Sequence, residues 1–133
     1  MRLKFIAAAA FALLLGGWQA SASQVGPGET FQDAVTLYER GLYAEAKSIF
    51  EDLSRQEPDV MADGYIVLCA LQTKAAGYDA LVADYESRYI NSTLTPEINY
   101  VYGNILFDEG SYQEAARRFE SVPDISLDRR ERT

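Results

Sequence analysis

Gly41-Leu42-Tyr43-Ala44-Glu45-Ala46-Lys47-Ser48-Ile49-Phe50-Glu51 has an echo farther along the chain in Gly110-Ser111-Tyr112-Gln113-Glu114-Ala115-Ala116-Arg117-Arg118-Phe119-Glu120. Gly, Tyr, Glu, Ala, Phe and Glu recur at the same offsets, and the two stretches begin 69 residues apart (41 to 110). That is close to two units of about 34 residues, so a middle copy is expected near residue 76. Ala76-Gly77-Tyr78-Asp79-Ala80-Leu81 stands there. Tyr85 follows Tyr78 at the spacing that separates Tyr43 from Phe50 and Tyr112 from Phe119. The middle copy is degraded, with Leu81 where the outer two carry Ala.

The spacing has a physical meaning. Tyr43, Ala46, Ile49, Phe50 and Leu53 recur at three- and four-residue steps, which is one stripe of a helix, and Tyr112, Ala115, Ala116, Phe119 and Val122 repeat it. The glycine before each stripe suits a tight helix-to-helix turn with positive φ. Each striped helix has an apolar partner upstream: Phe31, Ala34, Val35, Leu37 and Tyr38, then Tyr65, Ile66, Leu68, Cys69 and Leu71, then Ile98, Val101, Tyr102, Ile105 and Leu106. Pro58-Asp59 and Asn91-Ser92-Thr93 punctuate the pairs, and Thr95-Pro96-Glu97 reads as N-cap, first helical position and acidic first turn. The pattern predicts an all-α chain of antiparallel pairs, 30–40 with 43–56, 61–74 with 78–89 and 96–109 with 111–121. No stretch keeps the period-2 alternation of a strand.

The pattern resembles the tetratricopeptide repeat, a helix–turn–helix unit of about 34 residues. Gly41, Tyr43, Ala46, Phe50 and Pro58 occupy that family's places in the first unit, and Gly103, Gly110, Tyr112, Ala115 and Phe119 do so in the third. The second unit keeps Tyr65, Leu68, Tyr78 and Tyr85 but lacks the Gly and the Ala. The signature Trp of the first helix is missing throughout. The resemblance implies an α-solenoid of three units, about 27–60, 61–95 and 96–125 within a repeat region 30–125. It also implies a concave face lined by the first helix of each pair. Carried over position by position, that lining is Phe31, Val35, Tyr38 and Glu39, then Ile66, Ala70, Thr73 and Lys74, then Tyr100, Asn104, Phe107 and Asp108. Such a surface suits a peptide or helix of another protein. Phe31, Ile66 and Tyr100 also read as plain packing between pairs.

The ends of the chain carry separate signals. Arg2 and Lys4 precede the apolar run from Phe5 to Leu15, and Ala20-Ser21-Ala22 follows, which is the grammar of a cleaved export signal covering 1–22, with 23–29 a short linker. The run is too short to span a hydrocarbon core about 30 Å thick, so no membrane span is expected after cleavage. The removed stretch holds two bases and no acid, which takes the formal charge from −8 to −10. At the other end Ser126-Leu127-Asp128 reads as a helix start, so 126–133 is the beginning of a next helix or a tail, and a continuation or a partner would cover the last pair.

Composition limits the chemistry. The chain has no His and one Cys, Cys69, so Ser-His-Asp and Cys-His catalysis, His/Cys zinc sites and an intrachain disulfide are excluded. Its acidity argues against nucleic acid, whose phosphates call for Lys and Arg. Neighbouring carboxylates such as Glu51-Asp52, Glu57 with Asp59, and Asp108-Glu109 fit solvated helix faces. No calcium loop or phosphate-cradling glycine run is present, so no cofactor, metal or catalytic residue is expected. Asn91-Ser92-Thr93 fits an N-glycosylation sequon. Together with the export signal, the resemblance therefore implies a non-catalytic scaffold or adaptor of the bacterial periplasm or cell envelope, or secreted. The alternative is the helical recognition domain of a longer exported enzyme or transport-linked protein.

Overall fold

The computed structural model describes residues 30–123. The expected export signal 1–22, the expected linker 23–29 and the expected helix start or tail at 126–133 lie outside the described residues. Among the described residues there are six helices and no strand: α1 Phe31–Glu39, α2 Tyr43–Gln56, α3 Val60–Gln72, α4 Tyr78–Arg88, α5 Thr95–Asp108 and α6 Tyr112–Glu120. They form three hairpins, α1–α2, α3–α4 and α5–α6.

Local chemistry sets the starts. Thr30 caps α1 in a reciprocal box: its Oγ1 accepts from the Asp33 amide at 3.3 Å, and the Asp33 carboxylate accepts from the Thr30 amide at 2.7 Å. Asp59 caps α3, accepting from the Met61 and Ala62 amides at 3.1 Å, so the Pro58-Asp59 step that ends one hairpin begins the next. The α5 start differs from the sequence expectation by one residue. Leu94, not Thr95, is the cap, and Pro96 falls at the second helical position. Leu94 is buried, with its Cδ1 directly over Gly64, and this anchor pulls the helix start back. Thr95 Oγ1 lies 3.1 Å from Ser92 Oγ instead of capping.

The turns inside the three hairpins are built alike. The amide of Gly41 donates to Tyr38 and that of Leu42 to Leu37, closing α1, and Gly110 and Ser111 donate to Phe107 and Leu106 in the same way. Gly41 and Gly110 have φ of +80° and +87°, where a side chain would be strained. In the second hairpin Lys74 takes this place, with φ +50°, donating to Leu71 while Ala75 donates to Ala70. Tyr78 then begins α4 four positions after Lys74, whereas Tyr43 follows Gly41 by two. The second turn is thus two residues longer.

Packing proceeds from neighbour to neighbour. α1 packs on α2, α2 on α3, α3 on α4, α3 on α5 and α5 on α6, with α1 also touching α3. The first helices α1, α3 and α5 therefore adjoin one another, while the second helices share no comparable contact. Closer spacing in one layer than in the other bends the stack, as in a solenoid with an inner and an outer side. α3 sits in the middle and feeds both cores. Ala62 and Cys69 join Ala34, Val35, Ala46, Ile49 and Phe50, and Val67, Leu68 and Leu71 join Val82, Tyr85, Leu94, Ile98, Val101 and Ile105. That double duty explains why α3 is apolar on nearly every side.

Small residues fix how closely the hairpins shut. A Cβ on Gly103 would meet Phe119 Cε1 at 2.7 Å, and one on Gly64 would meet Tyr85 Oη at 2.8 Å. Phe119 thus sits over Gly103 late in α5, while Tyr85 sits over Gly64 early in α3. The longer second turn slides α4 toward the start of its partner.

Candidate binding face

The matching turn bonds give a structural register for the three first helices. Counted back from Gly41, Lys74 and Gly110, the residues just before the turn residue's own predecessor are Glu39, Gln72 and Asp108, preceded in turn by Tyr38, Leu71 and Phe107. The sequence expectation aligned Tyr78 with Tyr43 across a turn of equal length. The two extra turn residues carried its second-unit lining two places too far. The residues of α3 that stand at the expected lining positions are Gly64, Leu68, Leu71 and Gln72, not Ile66, Ala70, Thr73 and Lys74, and of these only Gln72 is exposed.

The expected lining therefore splits. Glu39, Asn104, Phe107 and Asp108 are exposed on the first helices, and Phe107 is 55% exposed. Phe31, Tyr38 and Tyr100 are half-buried. Val35 and Ala70 are buried, Val35 in the first core, so neither offers its side chain to a ligand. Ile66 packs against that same core. Thr73 turns toward the second layer: it borders a depression formed with Ala44, Lys47, Ser48, Glu51 and Arg55, and its Oγ1 donates to the carbonyls of Cys69 and Ala70 at 2.9 and 3.3 Å. Lys74 is the left-handed turn residue itself.

Tyr65 and Gln72 escaped the sequence reading. Tyr65 is stacked on Phe50 at 4.8 Å and meets Phe31 and Tyr38 edge-on at 5.7 and 5.3 Å. Gln72 Nε2 donates to Tyr38 Oη at 3.1 Å. Burial pushes the Tyr38 phenol pKa up, opposed by the Gln72 bond and reinforced by the Glu97 charge. Tyr65 is pushed up by burial and then by the charges of Glu39 and Glu97. Tyr65 is thus the point at which rings of α1 and α2 meet α3. Counting two residues back from the turn at Lys74 gives Gln72; nothing local marks Tyr65 as the hub.

Charge is divided between the layers. The three first helices carry Asp33, Glu39, Asp63, Glu97 and Asp108 and no Lys or Arg. Every helical base lies on α2, α4 or α6, and each is ion-paired: Lys47 with Glu51, Arg55 with Asp52, Arg88 with Asp63 and Asp84, Arg117 with Glu114, Arg118 with Glu86. Arg40 and Lys74 lie in turns.

Asp63 belongs to the outer layer's bonding rather than to the inner face. It is buried and accepts from Ser54 Oγ at 2.5 Å, Tyr89 Oη at 2.6 Å and Arg88 Nη1 at 3.3 Å. Burial alone would raise its pKa, but the bonds from Ser54 and Tyr89 and the Arg88 charge outweigh it and hold it below the usual carboxylate value. Asn99 is its counterpart in α5, also buried, accepting from Arg118 Nη1 at 3.0 Å while the same nitrogen reaches Glu86 at 2.8 Å. Asp63 and Asn99 stand at equal distances before Lys74 and Gly110. Each ties its own hairpin to the one before.

Among the described residues there is no cluster of three or more metal-ligating side chains and no helix long and apolar enough to cross a membrane. Cys69 is buried, and burial pushes its thiol pKa up to about 12, which removes thiolate reactivity at neutral pH. Compared with known proteins, the chain matches no family model, no curated protein and no solved structure.

Proposed function

We propose that this chain is a non-catalytic, tetratricopeptide-like scaffold, exported to the bacterial periplasm or cell envelope, that holds a peptide or helix of another protein against its inner layer. The observation carrying this reading is the make-up of that layer. Phe107, Asn104, Asp108 and Glu39 stand out to solvent beside half-buried Phe31, Tyr65 and Tyr100. Aromatic bodies next to isolated polar groups are what peptide recognition uses. Export rests on the n-region, apolar run and small-x-small site of residues 1–22.

A second reading has support from one feature. Both rings of the Phe107–Tyr112 pair are open to solvent, whereas the matching Tyr38–Tyr43 pair of the first hairpin is covered by Tyr65 of α3. This supports the alternative, an N-terminal helical recognition domain of a longer exported enzyme or transport-linked protein. Site-specific photo-cross-linking separates inner from outer use. A cross-linker at Asn104 is expected to capture a partner in envelope extract, and one at the exposed α4 residue Ala83 is not. Capture from Ala83 alone, or from neither position, would remove the adaptor reading.

A further inference from the structure

We infer that the α5–α6 hairpin docks one helix of another protein, a helix with a tyrosine or phenylalanine at the centre of its apolar stripe. This goes beyond the inner-layer reading, because the surface is the side of α5–α6 that corresponds to the side of α1–α2 covered by α3. Phe31, Tyr38, Tyr43 and Phe50 of the first hairpin have aromatic counterparts at one constant offset, Tyr100, Phe107, Tyr112 and Phe119. The rings pair in the same way. Phe31–Phe50 and Tyr38–Tyr43 meet edge-on at 5.5 and 5.2 Å, and Tyr100–Phe119 and Phe107–Tyr112 at 6.4 and 5.2 Å. In the first hairpin the slot between the two pairs is filled by Tyr65 of α3, whose ring lies 5.7 Å from Phe31, 5.3 Å from Tyr38 and 4.8 Å from Phe50. In the middle hairpin the place of Tyr65, counted back from the turn, belongs to Val101 of α5, buried in one core with Leu71, Val82 and Tyr85. Each time the following first helix supplies the filler. At α5–α6 the outer ring pair is open: Phe107 and Tyr112 are 55% and 62% exposed, where Tyr38 and Tyr43 are half-buried.

The filled copy specifies the occupant. α3 gives Ala62, Tyr65, Ile66 and Cys69 to the first core, one stripe at three- and four-residue steps with the ring inside it. A ring set among rings gains edge-to-face and stacked contacts beyond the area it buries, and such an anchor is what seats an amphipathic helix in a groove. Phe107 lacks the hydroxyl through which Tyr38 accepts from Gln72, so the slot asks for no donor at that point. Residues 23–29 and 124–133 contain no aromatic residue and cannot provide the ring. A second copy stacked in the same register would bring Gln32, Asp33 and Thr36 of α1 where α3 has Tyr65, Ile66 and Cys69. Those polar groups would be pressed against rings that offer them no hydrogen bond. The occupant is therefore a helix from a different protein.

The probe is a labelled synthetic copy of α3, residues 59–74, with Cys69→Ala against oxidation and Leu68→Gln. A side-chain lactam between Val67→Glu and Leu71→Lys holds it helical and makes its second side polar. Titrated with the chain of residues 23–133 and followed by anisotropy, it is expected to bind, and its Tyr65→Ala form about tenfold more weakly. In the protein, Phe107→Ala with Tyr112→Ala should weaken binding about tenfold with the helical circular dichroism unchanged. Phe107→Gln alone repeats the measurement should the double variant fold poorly. Leu42→Ala with Ile90→Ala, exposed apolar residues of other turns, should leave binding unchanged. The inference is overturned if the parent peptide does not bind, if its Tyr65→Ala form binds equally, if neither Phe107 variant loses binding, or if the Leu42 and Ile90 variant loses as much. Self-association of the chain in sedimentation, abolished by Phe107→Ala, also overturns it, since a second copy would then hold the slot. In each of these cases, capture of a partner from Asn104 leaves the adaptor reading standing, and no capture removes both.

Discussion

Tyr38 meets Tyr43 edge-on at 5.2 Å and 61°, and Phe107 meets Tyr112 at 5.2 Å and 65°. Both pairs straddle a left-handed glycine at the same offsets, so the local sequence builds the same object twice. Their surroundings differ. The first pair is covered by α3, with Tyr65 at 5.3 Å and the Gln72 amide bonded to the Tyr38 hydroxyl. The last is open, with Phe107 55% and Tyr112 62% exposed. In a stacked array, a unit's neighbour decides what an identical hairpin contributes to stability.

Removing the cover should make the first pair behave as the last. Tyr65→Ala strips the ring stacked on Phe50 and is expected to cost about 3 kcal/mol in urea unfolding. A cost below about 1 kcal/mol would mean that α3 does not couple the first two hairpins through this ring. The next effect is a contrast within equivalent positions. Tyr38→Ala should cost about 2 kcal/mol and Phe107→Ala less than about 0.5, because the first side chain loses Tyr43, Tyr65 and the Gln72 bond whereas the second, already more than half exposed, loses only Tyr112. Equal values would end the comparison.

The buried ties sharpen it through pH. Asp63 has a depressed folded-state pKa, so its stabilisation is present above the unfolded value of about 4 and is lost as pH falls through that value toward the lower folded one. Asp63→Asn should cost about 1–2 kcal/mol at pH 7 and much less at pH 3, whereas Asn99→Ala, which removes a non-titrating partner, should lack that particular acid dependence. Thermal melts of both variants across this range would show it. The smallest effect belongs to the turns. Lys74→Gly should stabilise by up to about 1 kcal/mol, since it relieves the φ of +50°, and Gly41→Ala should destabilise by a similar amount. A Lys74→Gly variant no more stable than the parent would place the strain elsewhere.

Much of the fold was legible because its signals are local. The Gly-x-Tyr-x-Glu-Ala stripes, Pro58-Asp59 and the three apolar partner stretches located all six helices within a residue or two. The candidate face was less legible. The degraded second unit hid its turn residue as Lys74, and two extra turn residues carried the inferred lining to Ala70, Thr73 and Lys74, past Gln72, the one exposed residue at the equivalent positions of α3. A lysine in the left-handed region leaves no sequence mark, because the conformation is imposed by the helices on either side.

The sequence alone determined helix formation, hairpin pairing and the segregation of bases onto the second helices. All three follow from residues within a few positions of one another, where the 3.6-residue period and the turn chemistry operate. Only the tertiary structure decided which aromatics are covered, that Tyr65 joins the first two hairpins, and that Asp63 and Asn99 form the buried ties. Those are contacts between helices tens of residues apart, and their geometry depends on how closely Gly64 and Gly103 let the hairpins shut.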